Sequence, residues 1–239
     1  MGTRPDQVER VERAGSGPTR YRGLLVDFGG VLTTSVIEAF KAFCTSEGLE
    51  PDAVFRRLTE SAEARRLVVE LECGRLEEAS FEPAFAGILG VAPEGLIDRL
   101  YAGSRPVPAL AEAVLAARRA GIRTGLLSNS WGEGRYQRDR FGELFDAVVI
   151  SGEVGLRKPD PAIYLLAARS LGLEPAACVF VDDFFVNLEP AEELGMATVL
   201  HDDDPGRTIA VRSRNCSESR CGPERAAGRA TAVSTRPVT

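Results

Sequence analysis

Four groups of polar residues in this 239-residue chain could do chemistry together. They are Asp27, the pair Ser128 and Asn129, the lysine Lys158, and the pair Asp182 and Asp183. Three carboxylates in one small cleft would repel one another unless a cation were bound, and hard oxygen ligands suit magnesium. A hydroxyl, backbone amides and a lysine can orient a phosphoryl group and neutralise its charge. One of the carboxylates could then attack phosphorus and form an aspartyl-phosphate.

The pattern around these residues predicts that secondary structure brings them to one place. Asp27, Ser128 and Asp182 each follow a short apolar run that is typical of a buried parallel strand. From Pro106 onward helical and strand patterns alternate, which predicts a parallel sheet with helices on both faces. Lys158 stands just before the proline-rich start of a predicted helix. Since ligands of such sheets bind at the carboxyl ends of the strands, we expect an α/β fold of three Rossmann-like α/β/α layers, with all four groups at one edge.

A long helical stretch interrupts this alternation. Residues 35–104 show apolar side chains three and four positions apart and no strand pattern, which predicts a small helical domain inserted into the fold. The catalytic core would then comprise residues 21–34 and 105–205. Residues 1–20 are polar and are expected to form a flexible leader. Residues 206–239 have little periodicity and many arginines, which favours a disordered tail.

Composition argues against several classes of partner. The net charge of −6 gives no support for a nucleic-acid partner, and no apolar run approaches the ~20 residues needed to cross a bilayer. The five cysteines lack paired zinc spacing, so we expect a cytoplasmic protein with reduced thiols, either a monomer or a homodimer. Of the 29 basic residues only Lys41 and Lys158 are lysines. A compact ammonium suits a crowded site beside carboxylates, which is a physical reason for a lysine rather than an arginine at position 158.

Four stretches of the chain carry a resemblance to a known family. VDFGGVLT, LLSNS, the lysine of GLRKPDPAIY, and VFVDDFFVNLEPAEELGM resemble, in order and spacing, the four motifs of the haloacid dehalogenase superfamily. The resemblance runs from about Leu24 to Leu200. The helical insert resembles the family's cap domain in its phosphatase-type form. Its stretch LECGRLEEASFEPAFAGILGV is similar to the cap of the phosphatase domain of soluble epoxide hydrolases.

The resemblance implies a role for each motif residue in a magnesium-dependent phosphohydrolase with a small phosphorylated metabolite as substrate. The residues expected at the Mg²⁺ ion are Asp27, the backbone carbonyl of Gly29, Asp183 as the direct carboxylate, and Asp182 beside it, with Asn187 ordering them. The residues expected at the phosphoryl group are Phe28, Gly29, Ser128, Asn129 and Lys158. Asp27 would be the nucleophile, Ser128 would hydrogen-bond the phosphoryl oxygens, and Lys158 would bridge the phosphate and Asp27.

One position departs from the family pattern. Phosphatases of this family usually carry a second aspartate two residues after the nucleophile, where it acts as general acid and base, and this chain has Gly29 there. Such a group contributes roughly a hundred- to ten-thousandfold in rate. A cap residue, a metal-bound water or Asp183 could supply the proton, or the substrate could have a good leaving group.

Two other functions are compatible with the missing aspartate. In a haloacid dehalogenase Asp27 would attack carbon, but those enzymes use no magnesium and lack the paired acids Asp182 and Asp183. In a non-catalytic relative the pocket would bind phosphate or metal without turnover, which the retention of Asp27, Ser128 and Lys158 argues against.

Two further residues have more than one interpretation. Trp131, just after the second motif, is expected either to line the rim of the site or to pack within a loop. His201 is the only histidine. It is expected to be an exposed residue at a strand end, with an accessory metal site beside Asp202, Asp203 and Asp204 as the alternative.

Overall fold

The structure, a computed structural model, describes residues 21–209 except Glu133, Arg135, Gln137 and Asp203. The predicted leader and all but the first residues of the predicted tail therefore lie outside the described residues. At the centre is a parallel sheet of five strands in the order β3-β2-β1-β4-β5. The strands are β1 (Gly23–Val26), β2 (Arg123–Ser128), β3 (Ala147–Ile150), β4 (Cys178–Asp182) and β5 (Ala197–Leu200).

A helical insert separates β1 from β2. Its helices are α1 (Val36–Ser46), α2 (Ala53–Glu60), α3 (Ala62–Glu72), α4 (Glu78–Leu89) and α5 (Leu96–Tyr101). They share one apolar cluster, in which Phe40, Phe43, Phe81 and Phe85 are buried. Ser61 ends α2 and begins α3, and its hydroxyl accepts a hydrogen bond from the Ala64 amide. This cap divides the helical pattern of residues 52–71 into two helices, because a serine side chain at this point satisfies a free amide of the second helix.

Helices cover both faces of the sheet. They are α6 (Pro108–Arg119), α7 (Phe141–Leu144), α8 (Ser151–Val154), α9 (Pro161–Ser170) and α10 (Phe185–Glu193). Along β1 the side chains alternate: Leu24 and Val26 pack in the apolar cluster of α6 and α7, and Leu25 packs in that of α9 and α10. This period of two buries both faces of the strand. The predicted three-layer α/β/α parallel sheet is confirmed.

Strand register places the first and fourth motifs side by side. Val26 of β1 pairs with Leu126 of β2 and with Val181 of β4, so Asp27 and Asp182 follow at neighbouring positions. The Asp27 amide donates to the Val181 carbonyl at 2.9 Å, which extends the ladder by one residue. The carboxyl ends of the three central strands therefore form the edge at which the sequence predicted a site.

His201 does not have the exposure that the sequence predicted. Its side chain is buried, and its Nδ1 lies 2.6 Å from Thr208 Oγ1. The chain turns into a helical segment over residues 205–209, where Ile209 packs against the apolar cluster of α6 and α7. A strand-end histidine thus becomes interior because the segment after it folds back over the sheet. Within the described part of the chain, every helix is too short or too polar to cross a bilayer.

Candidate active site

Three carboxylates meet at the carboxyl edge of the sheet. Asp27, Asp182 and Asp183 each present an oxygen within 4.8 Å of the others. Asp27 and Asp182 are buried, and the position of each follows from the pairing of β1 with β4. Like charges at this separation disfavour ionisation. Burial first, and then the charge of Asp182, raises the pKa of Asp27 to about 6, although Lys158 opposes the shift.

Lys158 lies among these carboxylates. Its Nζ is 2.9 Å from Asp27 Oδ1 and 2.6 Å from Asp182 Oδ2, and only 1% of its side chain is exposed. Burial alone would lower the pKa of Lys158, but the two carboxylates outweigh it and raise the pKa above its ordinary value. The lysine is therefore charged throughout the physiological range, and it holds Asp27 in one orientation.

The side chain of Asn129 fixes the backbone of Lys158. Asn129 Oδ1 accepts a hydrogen bond from the Lys158 amide at 2.9 Å, and Asn129 Nδ2 donates to the Lys158 carbonyl at 3.0 Å. A two-point bond of this kind sets the direction in which the lysine side chain leaves the loop. The sequence predicted Asn129 at the phosphoryl group. The side chain is instead committed to Lys158, and contact of its backbone amide with phosphate stays a prediction.

Asp182 and Asp183 have different surroundings although they are adjacent. Asp182 accepts hydrogen bonds from Lys158 Nζ, from Asn187 Nδ2 at 3.0 and 3.1 Å, and from the Phe184 amide at 2.8 Å. Asn187, in the first turn of α10, thus holds Asp182 in place. These bonds leave Asp182 with its lone pairs largely occupied.

Asp183 Oδ1, by contrast, is buried and has no hydrogen-bond partner among the described residues. Burial first, and then the charges of Asp27 and Asp182, raise the pKa of Asp183 to about 8. Gly30, at φ +75°, leaves room for this side chain, since a Cβ at Gly30 would lie 2.0 Å from Asp183 Oδ2. A buried carboxylate oxygen without a donor is what a bound cation would satisfy. The donor set therefore fits Mg²⁺, with Asp183 and Asp27 as the carboxylates best placed to hold it.

Asp183→Asn is expected to stabilise the metal-free protein and to remove its response to magnesium. With a folded-state pKa of about 8, Asp183 keeps a proton that the unfolded chain has already lost above pH 4. Its contribution to the free energy of unfolding therefore falls as pH rises from about 4 to about 8. Thermal unfolding in EDTA should show this fall in the wild type and a flatter profile in the variant. Added MgCl₂ should raise the melting temperature of the wild type and should not raise that of Asp183→Asn.

Asp139→Asn is the matched control for that measurement, because Asp139 is exposed and lies outside the cluster of three carboxylates. A melting temperature of Asp183→Asn that rises with magnesium as much as that of the wild type would contradict the assignment of Asp183 to the cation.

Ser128 shares its hydroxyl with a residue that sequence reasoning missed. Ser128 Oγ and the Tyr136 hydroxyl are 3.0 Å apart, and both residues are buried. The Tyr136 ring packs against the rings of Phe28 and Phe141, with centroids at 4.9 and 6.1 Å. Tyr136 belongs to the loop after β2, which has no periodic pattern, and so its position near the site carries no signal in the sequence.

A cavity of about 320 Å³ opens between the helical insert and the core beside these residues. On the core side Gly29, Ser128 and Tyr136 line it, and on the insert side Asp98 and Tyr101 do so. Aromatic and leucine side chains such as Phe141 and Leu144 make much of its wall apolar. A molecule in this cavity would sit against the strand ends with the insert above it.

At position 29 a side chain would crowd the helical insert. A Cβ at position 29 would lie 2.9 Å from Cγ2 of Val36, the first residue of α1. Any side chain there would have to displace a branched residue of the helical insert. The packing of α1 against the loop after β1 thus disfavours a side chain at position 29.

Glu72 joins the helical insert to the site, and it too was missed. Its carboxylate accepts hydrogen bonds from Trp131 Nε1 at 2.7 Å, from the Arg157 guanidinium, and from Asn129 Nδ2 at 3.4 Å. Burial raises the pKa of Glu72 despite the charge of Arg157. Trp131 itself packs in the apolar cluster of the insert and also lines the cavity, so both interpretations of this residue apply.

The site thus combines three neighbouring carboxylates, a buried lysine that is paired with two of them, and the carboxyl edge of a parallel α/β sheet beside a helical insert. The family model of the haloacid dehalogenase-like hydrolases matches residues 21–195. The chain belongs to this family of hydrolases.

Curated relatives match parts of the chain. The bifunctional epoxide hydrolase 2 of Sus scrofa is 38% identical over 96 residues, which are 37% of this chain and 17% of that protein. The glyceraldehyde 3-phosphate phosphatase of Methanopyrus kandleri is 32% identical over 106 residues, covering 43% of this chain and 46% of that protein. The chain thus spans less than half the length of either relative.

Solved structures share the fold. An HAD-family enzyme of Bacteroides thetaiotaomicron, in complex with magnesium and inorganic phosphate, superposes with a TM-score of 0.57 at 23% identity and covers 77% of this chain and 95% of its own. A dehalogenase superposes with a TM-score of 0.55 at 22% identity and covers 79% of this chain and 90% of its own. At this identity the likeness establishes the architecture alone.

Proposed function

We propose that this protein is a magnesium-dependent phosphohydrolase that acts on a small phosphorylated metabolite through an aspartyl-phosphate on Asp27. The observation that carries the proposal is the buried oxygen of Asp183, which lacks a hydrogen-bond donor among the described residues and lies beside two further carboxylates. A cation relieves this arrangement, and a phosphoryl group bound to that cation would lie next to Asp27. The phosphatase name of the archaeal relative, and the magnesium and phosphate in the bacterial structure, agree with this chemistry.

Each residue of the site would have a separate role in phosphoryl transfer. Asp27, with a pKa of about 6, is ionised at neutral pH and attacks phosphorus in line with the leaving oxygen. Lys158 orients Asp27 and neutralises charge on the phosphoryl oxygens, and Ser128 donates a hydrogen bond to one of them. When bound, Mg²⁺ supplies further neutralisation of that charge. Phe28, Gly29 and Asn129 would approach the phosphoryl group through their backbone.

The helical insert would act as a cap over this centre. We assign residues 35–104 to the cap, and residues 21–34 and 105–205 to the catalytic core. The cavity lies between the two parts, and residues of both line it. Closing the cap would exclude water from the phosphoryl group, which strengthens the electrostatic contacts that surround it. Cys44, Cys73 and Cys178 are free and buried, which agrees with the reducing cytoplasm that we propose as the location. We also propose that the protein is a monomer or a homodimer.

The dehalogenase alternative explains Gly29 but not the acidic cluster. A dehalogenase needs no cation, and so it has no use for a third carboxylate with a buried oxygen that lacks a donor among the described residues. Here Asp182 is held by Lys158 and Asn187, and Asp183 is left to face Asp27. A protein that binds phosphate or metal without catalysis would need the cation site, but it would not need the ion pair with Lys158 that orients Asp27. Both observations therefore favour the phosphohydrolase.

Parallel assays distinguish the three functions. We expect phosphate release from p-nitrophenyl phosphate or acetyl phosphate in MgCl₂ and none in EDTA. A broad panel of phosphorylated metabolites would then identify the substrate. Chloride release from 2-chloropropionate that EDTA does not inhibit would establish a dehalogenase. Phosphate or magnesium affinity without turnover of any compound in the panel would establish a binding protein.

A further inference from the structure

Because position 29 is a glycine, another group has to act as the general acid for substrates that need a proton donor. Cleavage of an alkyl phosphate expels an alkoxide, which has to be protonated as the bond breaks. Asp183 faces the other carboxylates, and Glu72 is held by Trp131, Arg157 and Asn129. Among the side chains of this protein, the remaining candidates are the polar residues that line the cavity beside Gly29.

Tyr136 has the position that such a donor needs. Its hydroxyl is 3.0 Å from Ser128 Oγ, the group expected at the phosphoryl oxygens, and both residues line the cavity together with Gly29. Its ring packs against the ring of Phe28, the residue directly after the nucleophile, with centroids 4.9 Å apart. Asp98 also lines the cavity, but it is exposed on the helical insert.

We propose that Tyr136 is the catalytic acid and base of this enzyme and replaces the aspartate that Gly29 lacks. The inference rests on the phosphohydrolase function proposed above. In the first step the Asp27–phosphorus bond forms, the bond from phosphorus to the leaving oxygen breaks, and the phenolic proton passes to that oxygen. In the second step water attacks phosphorus, its proton returns to the phenolate, and the Asp27–phosphorus bond breaks to release inorganic phosphate.

The surroundings of Tyr136 suit both steps. Burial first, and then the charge of Asp27, raise its pKa to about 12, so the hydroxyl keeps its proton until an acceptor as basic as an alkoxide appears. The charge of Lys158 opposes this shift, and the Arg138 guanidinium lies 5.9 Å from the ring centroid. The charge of Lys158 favours the transient phenolate of the first step, whereas the charge of Arg138 is already paired with Glu153.

Tyr136→Phe tests the inference through its dependence on the leaving group. The probes are p-nitrophenyl phosphate, whose leaving group needs no proton, and benzyl phosphate, which is similar in size and expels an alkoxide. We expect kcat on benzyl phosphate to fall by at least about a hundredfold and kcat on p-nitrophenyl phosphate to fall by less than about threefold. The ratio of the two rates within one preparation does not depend on the fraction of folded enzyme.

Other outcomes would overturn the inference. An equal loss on both probes would make Tyr136 a positioning residue for Ser128, and no loss would exclude any role in turnover. A wild-type enzyme that hydrolyses p-nitrophenyl phosphate and not benzyl phosphate would have no acid at all. Asp98→Asn, assayed in parallel, should leave the ratio unchanged, and a selective loss on benzyl phosphate in that variant would transfer the role to Asp98. Failure of the wild type on both probes and on the whole panel of phosphorylated metabolites would instead refute the proposed function.

A restored aspartate gives an independent test. Gly29→Asp combined with Val36→Ala places a carboxylate at the usual position and removes the methyl group that a Cβ there would meet. In the Tyr136→Phe background this pair of changes should recover at least about tenfold of the rate on benzyl phosphate, with little change on p-nitrophenyl phosphate. Circular dichroism and the melting temperature would show that the triple variant is folded. A folded variant without recovery would contradict the need for a proton donor on this side.

Discussion

Asp27→Asn is expected to abolish magnesium-dependent phosphate release, with a fall in kcat of at least about ten-thousandfold on every substrate. The amide has the shape of the carboxylate and lacks its nucleophilic oxygen, so no aspartyl-phosphate can form. The substituted residue would still occupy the end of β1, because the bond from the amide of residue 27 to the Val181 carbonyl belongs to the backbone. The protein should therefore remain folded while turnover is lost.

The measurement is phosphate release under saturating substrate, together with acid quenching of the wild type to trap a phosphorylated chain. Asp139→Asn, a change of the same kind at an exposed site, should retain full activity. Turnover by Asp27→Asn within a hundredfold of the wild type would show that another group attacks phosphorus. In that case the proposed mechanism would be wrong even if magnesium remained essential.

Lys158→Met is expected to reduce the free energy of unfolding by about 3–5 kcal/mol and to reduce activity severely. Methionine fills a similar volume, but it leaves the buried carboxylates of Asp27 and Asp182 without their cation. Removing one partner of a buried ion pair leaves the desolvation of the other uncompensated, which is why the expected effect is large. Chemical denaturation in EDTA would measure the loss.

The only other lysine of the chain supplies a matched control. Lys41 pairs with Glu38 on the exposed face of α1, at 2.7 Å and with both side chains largely in water. Lys41→Met should change the free energy of unfolding by no more than about 1 kcal/mol. Adding Asp182→Asn to Lys158→Met should recover part of the lost stability, because one unpaired charge is removed. Similar losses in the free energy of unfolding for both variants would show that the buried ion pairs of Lys158 contribute no more to stability than the exposed pair of Lys41.

Much of the fold and of the site could be predicted from the sequence because the relevant signals are local. Asp27, Ser128 and Asp182 each lie at the carboxyl end of a strand, and a parallel sheet brings the ends of its strands to one edge whatever the loops do. The proximity of Asp27, Asp182 and Asp183 to one another and to Lys158 could therefore be predicted without knowledge of distant contacts. The roles assigned to these residues stay predictions until the variants are made.

The residues that sequence reasoning missed depend on contacts between distant segments. Glu72 meets Arg157 across 85 positions, and Tyr136 reaches Ser128 from a loop with no periodic pattern. Neither contact leaves a trace in hydrophobic spacing. The exposure predicted for His201 was wrong for the same reason, since Thr208 covers it only after the chain turns back.

The bonds of Glu72 also bear on how the molecule would open. Lifting α3 away from the sheet would separate Glu72 from Trp131, Arg157 and Asn129 at once. Asn129 is the residue that fixes the backbone of Lys158. In an open molecule, which could exchange product for substrate, the Lys158 side chain would be less firmly positioned. The orientation of Asp27, which pairs with Lys158, would then be less well defined. Asp27 would become reactive again only when the insert closes. Bulk water would therefore reach the active site mainly while Asp27 is not aligned for attack.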